Sequence, residues 1–134
     1  MRVGVSLLAS FMCLSGCSSP QQKAGLALER ARGWAATAEA VTSDRVAGAL
    51  PAQFVARTLD AGAQSVETHA QTIERIHELP EPERQAAADV VRQLARSLRD
   101  AASSAQAGKV DAPHKALLLD SYAAVMAHAR TYPR

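Results

Sequence analysis

Six side chains in this sequence carry reactive or metal-binding atoms of special interest: the thiols of Cys13 and Cys17 and the imidazoles of His69, His77, His114 and His128. Glu74-Arg75-Ile76-His77 has the Glu-x-x-His spacing by which helical bundles hold paired iron ions, because residues three apart share a helix face. Such a centre needs a second copy of the motif and two further glutamates at the same level. The nearest counterpart, Asp111-Ala112-Pro113-His114, falls at the opposite end of the helices, roughly 40 Å away at 1.5 Å per residue. Covalent c-type haem needs Cys-x-x-Cys-His, which is absent. Non-covalent haem would need His69 and a facing ligand such as Met126 or another histidine. A half-buried, hydrogen-bonded histidine is the simpler account of His69. His77 and His128, with Glu78 or Glu81, could form a weak surface metal site, but exposed histidines are the better account. No serine sits in a Gly-x-Ser-x-Gly frame. The expectation is therefore no catalytic residue, no metal site, no cofactor and no enzyme.

The cysteines read differently. Arg2 supplies a positive charge, and Val3 to Leu14 is apolar apart from Gly4, Ser6 and Ser10. This charged, apolar, then small-residue layout is that of a secretory signal. The apolar run is about 12 residues, whereas a membrane-spanning helix takes roughly 20. Leu14-Ser15-Gly16-Cys17 closes the run and resembles the lipobox of bacterial lipoprotein precursors. The resemblance implies cleavage before Cys17, a diacylglycerol on its sulfur and, often, a fatty acyl group such as palmitate on the new amine. It divides the chain into a signal peptide (1–16), a lipidated tether (17–22) and a folded domain (23–134). It also implies Ser18 as the residue after the lipidated cysteine, which in Gram-negative lipoproteins favours the outer membrane over retention at the inner one. Cys13 would leave with the signal, so the mature chain would hold one cysteine and no internal disulfide. The resemblance covers the signal and nothing of the folded domain.

Those groups must be positioned by helices, for nothing in residues 18–134 alternates with the period of a strand. Lysine and arginine total 15 against 13 acids, and Arg2 would be lost with the signal. So balanced a chain lacks the concentrated positive charge that nucleic acid binding requires. Alanine dominates, and it loses no side-chain entropy in a helix. Ala27, Ala31, Trp34, Ala38 and Val41 mark one face of a first helix from about Gln21 to Ala47. That helix runs through Thr42-Ser43-Asp44, although this triplet could restart it, and Gly48 ends it. Gly33 within it could let a neighbouring backbone come near. Val55, Leu59, Ala63, Val66, Ala70, Ile73 and Ile76 mark a second helix from Pro51 to about Glu78, with its charged residues opposite. Leu79-Pro80-Glu81-Pro82 turns the chain. Ala87, Val91, Leu94, Leu98, Ala101 and Ala105 alternate by four and three in a third helix from about Glu81 to Ala105. Gly108 ends it, and Asp111 is suited to cap a fourth helix, whose face is Leu118, Tyr122, Val125 and Ala129. Short connections make consecutive helices antiparallel neighbours, so the expected fold is an all-α, up-down-up-down four-helix bundle.

On such a bundle Arg92, Arg96 and Arg99 form a basic stripe beside Asp89 and Asp100. The stripe is a candidate contact for an acidic partner or anionic headgroups, or a solvated face with local ion pairs. Trp34 reads as a core anchor or, failing that, as an exposed contact. Leu50, Phe54 and Val110 could make an apolar tip at the end far from the lipid, although packing at the loop ends is the better account of them. The sequence thus points to an envelope lipoprotein held by lipid on Cys17, facing the periplasm, and acting as a structural or protein-interaction module with an envelope protein as partner. The alternative is a helical bundle that binds a small ligand, haem or metal.

Overall fold

Ser19 starts the first helix. Its hydroxyl accepts a hydrogen bond from the Gln22 amide at 3.1 Å, and the Gln22 side-chain oxygen accepts from the Ser19 amide at 3.0 Å. This reciprocal pair satisfies two helix-end donors at once, and Pro20 follows where a proline costs nothing. In the computed structural model, which describes residues 18–109 and 112–133, four helices follow in order. They are α1 (Pro20–Val46), α2 (Ala52–Glu74), α3 (Glu81–Gln106) and α4 (Ala112–Ala129). There is no strand among the described residues. α1 is continuous through Thr42-Ser43-Asp44, and it begins at Pro20, inside the stretch expected to be a tether.

Two helices stop for the same reason. Gly48 (φ 80°) and Gly108 (φ 69°) adopt the left-handed conformation, which glycine enters without steric cost. After α1, the amides of Gly48 and Ala49 donate back to the carbonyls of Arg45 and Asp44. After α3, those of Gly108 and Lys109 donate to Ala105 and Ser104. Both are Schellman closures. α2 ends earlier than its periodicity predicts, at Glu74 and not near Glu78. Turns at 73–79 bend the chain so that Ile76 and Leu79 point into the core, and Pro80 restricts Leu79 to extended backbone.

Packing pairs show that neighbours run antiparallel. Between α2 and α3, Arg92 meets Glu74 and Arg99 meets Glu67. Between α3 and α4, Ser97 meets Ser121 and Ser104 meets His114. Between α1 and α4, Gly25 meets Tyr132 and Arg32 meets Met126. In each case one index rises as the other falls. Each helix packs on the next and α4 closes on α1, while α1 touches α3 across the diagonal and α2 does not meet α4 among the described residues. This is the expected up-down-up-down bundle.

The core is a column of small side chains around a few large ones. About half of the buried apolar residues are alanine, placed between Leu28, Leu59, Ile73, Leu94, Leu98 and Leu118. The faces expected for α2 and α3 are buried throughout. α1 is rotated from its expected phase: Ala24, Leu28, Ala31, Ala35, Ala38 and Thr42 line its inner side, and Trp34 and Val41 lie at its margin, half-buried. The expectation that Trp34 anchors the core is thus corrected. Between α3 and α4 the Ser97 hydroxyl lies 2.9 Å from that of Ser121 and 3.1 Å from the Gln93 carbonyl, so this buried polar pair is satisfied. The Thr42 hydroxyl is fully buried and has no partner among the described residues.

Candidate functional site

Trp34 sits where α1 and α2 come together. On one side its six-membered ring lies against Gly62 of α2, so closely that a Cβ on Gly62 would fall 2.8 Å from Trp34 Cε3. The absence of a side chain at Gly62 is what lets the indole lie on the α2 backbone. On the other side is a groove of about 600 Å³, lined by Arg30, Gly33, Trp34 and Thr37 of α1 and Thr58 and His69 of α2. Gly33 faces open space, with nothing within 4 Å of where its Cβ would be. The close approach expected at Gly33 is made instead at Gly62. A glycine in a helix interior costs about 1 kcal/mol against alanine, so Gly62 has a packing reason and Gly33 has none.

The groove's polar capacity is concentrated on two groups. The Thr37 hydroxyl donates to the Gly33 carbonyl at 3.1 Å and that of Thr58 to the Phe54 carbonyl at 2.9 Å, so both are used within their own helices. His69 is half-buried at the groove wall and not in the core. Burial, and then the nearby charge of Arg30, holds its imidazole below the ordinary histidine value. The haem pairing of His69 with Met126 fails on topology: His69 is on α2, Met126 is on α4 beside Arg32, and those helices do not touch among the described residues.

The arginine stripe spans two helices. Arg92 bridges to Glu74 and, at 3.8 Å, to Glu67 on α2, and to Asp89 at 3.5 Å on α3. Arg99 reaches Glu67 at 3.4 Å. The hydrogen bond to Glu74 raises the Arg92 pKa further above its ordinary value. Arg96 is exposed beside them. Such surface pairs contribute about 0–1 kcal/mol each.

The Glu-x-x-His of α2 does not come together with His114. Glu74 is engaged by Arg92, and His77 is exposed in the α2–α3 turn. His114 Nε2 lies 2.6 Å from the Ser104 hydroxyl. His128 stacks at a tilt on Tyr132, ring centres 6.0 Å apart. Among the described residues, no three His, Cys, Asp or Glu side chains gather as metal ligands would. The lipobox with Cys17, and Val110 and Asp111, lie outside the described residues. Of the expected tip, Leu50 is half-buried and Phe54 is 52% exposed.

A second groove, of about 400 Å³, lies where the start of α1 meets the end of α4. Gly25, Leu26, Ala129, Tyr132 and Pro133 form its apolar wall, with Ser18 and Lys23 at its edge. Tyr132 is buried there, and its hydroxyl has no well-formed hydrogen bond among the described residues. Burial raises its pKa, and the Glu83 carboxylate lies near enough to add to the rise. No described helix is long and apolar enough to cross a membrane. The chain matches no protein-family model, no curated protein and no solved structure.

Proposed function

We propose that the chain is a lipoprotein of the bacterial envelope, anchored by lipid on Cys17, facing the periplasm from the outer membrane, and acting as a non-enzymatic structural or protein-interaction module. The observation that carries this reading is Leu14-Ser15-Gly16-Cys17 at the end of the apolar segment, directly before a folded body. The place where that body begins supports it. α1 is capped at Ser19 and starts at Pro20, so three residues or fewer separate Cys17 from rigid helix. At no more than about 3.6 Å per residue, the bundle would stand close against the bilayer. One acyl chain holds a protein only marginally, at about 0.8 kcal/mol per buried methylene, and two or more hold it stably. Exposed apolar side chains at Leu26, Val46, Phe54, Leu117 and Leu119 offer contacts for an envelope protein.

The test is the chemical state of Cys17. Purified from the membranes of a Gram-negative host, the chain is expected to begin at Cys17 with a diacylglycerol thioether, read by mass spectrometry. Cys17→Ser is expected to remain uncleaved and unlipidated. A wild-type chain recovered from the soluble fraction with a free Cys17 thiol would overturn the proposal. A second reading, a bundle that binds a small ligand, is favoured by the groove beside Trp34.

A further inference from the structure

Gly33 weakens α1 and makes room for no neighbour. What its missing side chain does is leave uncovered the groove that Trp34 helps to line. Two glycines therefore hold one aromatic ring at the surface: Gly62 receives its inner side, and Gly33 leaves its surroundings open. The groove is shallow, open to solvent and mainly apolar. The hydroxyls of Thr37 and Thr58 are already bonded to helix carbonyls. Arg30 bears the only formal charge among the lining residues apart from any proton on His69. It is exposed, and it has no ion pair or hydrogen bond among the described residues.

We propose that this groove binds a small aromatic carboxylate, its ring against the Trp34 indole and its carboxylate on the Arg30 guanidinium. A planar ring complements an indole in offset or edge-to-face contact. A guanidinium donates two parallel hydrogen bonds to a carboxylate. His69, across the groove on α2, adds a second ring and a nitrogen able to donate to the same anion. A single unpaired cation among mainly apolar lining selects one carboxylate and not a polyanion. The inference gives the ligand-binding reading its ligand class, and it stands whether or not Cys17 carries lipid.

Trp34 is the sole tryptophan, so its fluorescence reports the groove directly. The full chain is titrated with 3-phenylpropionate, with its neutral analogue 3-phenylpropanol and with hexanoate, which keeps the charge and lacks the ring. A saturable change in Trp34 emission is expected for 3-phenylpropionate, with affinity at least about fivefold above either comparison compound, as expected for loss of one charge-assisted or ring contact. Arg30→Gln is expected to weaken 3-phenylpropionate to the level of the alcohol. Gly33→Leu places a side chain into the groove from a position with space for it, and is expected to abolish saturation while the chain unfolds at the same temperature or higher. Non-saturable quenching by 3-phenylpropionate would overturn the site. Equal affinity for the alcohol would overturn the role of Arg30, and equal affinity for hexanoate would overturn the aromatic assignment. Binding that survives in folded Gly33→Leu would place the ligand elsewhere. These outcomes are read independently of the mass of Cys17, so the two proposals fail separately.

Discussion

Alanine substituted for each of two helical glycines is expected to act with opposite sign. Gly33 and Gly62 both lie inside α-helices, where glycine costs about 1 kcal/mol relative to alanine. At Gly33 a Cβ meets nothing within 4 Å. Gly33→Ala therefore gains the full propensity, about 1 kcal/mol, or about 4 °C in Tm for a domain of this size. At Gly62 the same gain is opposed by a Cβ only 2.8 Å from Trp34 Cε3, so the ring must move outward by several tenths of an ångström. Overpacking of this kind costs about 1–3 kcal/mol. Gly62→Ala is thus expected to be less stable than Gly33→Ala by about 1–3 kcal/mol, with a shifted Trp34 emission maximum that Gly33→Ala lacks. Urea unfolding followed by circular dichroism at 222 nm measures both. Repeating the pair in a Trp34→Ala background isolates the contact, and there the two substitutions should stabilise alike. Equal stabilisation by both in the Trp34-containing chain would refute the account of Gly62.

Other outcomes follow from groups that folding leaves in unusual states. Thr42→Val replaces a buried, unpartnered hydroxyl by a methyl of similar shape; it should raise stability by about 1 kcal/mol, and a fall in the urea midpoint would show that the hydroxyl has a partner. Ser97→Ala leaves the buried Ser121 hydroxyl without its cross-helix partner and should cost about 1–3 kcal/mol, with much of the loss recovered in the Ser97→Ala, Ser121→Ala double variant. Folding lowers the His69 pKa, so between that lowered value and 6.5 the unfolded chain binds more protons than the folded one. His69 therefore contributes fully above about pH 6.5, and its contribution falls as pH drops through the lowered value. The difference in urea midpoint between the parent chain and His69→Gln should vary over that window and level off above it.

How much of this was legible in the sequence depended on whether a residue type constrains the backbone. Gly48 and Gly108 mark the ends of α1 and α3 because left-handed backbone favours glycine. The end of α2 carries no such mark. The apolar spacing continues from Ile73 to Ile76 whether the chain stays helical or turns, and the turn wins by burying Leu79 as well. The phase of α1 was hidden for a related reason. Alanine occurs on every side of α1, so the large Trp34 dominates the pattern and pulls the expected face towards itself, while Leu28 and Thr42 face the core. Gly33 and Gly62 are indistinguishable as letters; only the position of the indole separates a glycine that is packed from one that is open. The ion pairs of Arg92 and Arg99 with α2 could be found by matching the charges of adjacent helices, once antiparallel pairing aligns Glu67 and Glu74 with them.

A core made so largely of methyl groups has a consequence for how the helices find their alignment. Methyls are nearly interchangeable, so a small shift of one helix along its neighbour meets less resistance from shape than it would in a core of large side chains. Shape alone is then a poor vernier. Alignment has to come from features that occur once: the indole seated in the notch at Gly62, the hydroxyl pair between α3 and α4, and the arginines that clasp α2. Removing these keys together should leave a chain that remains helical but samples several slipped arrangements, with secondary structure retained and side-chain order lost.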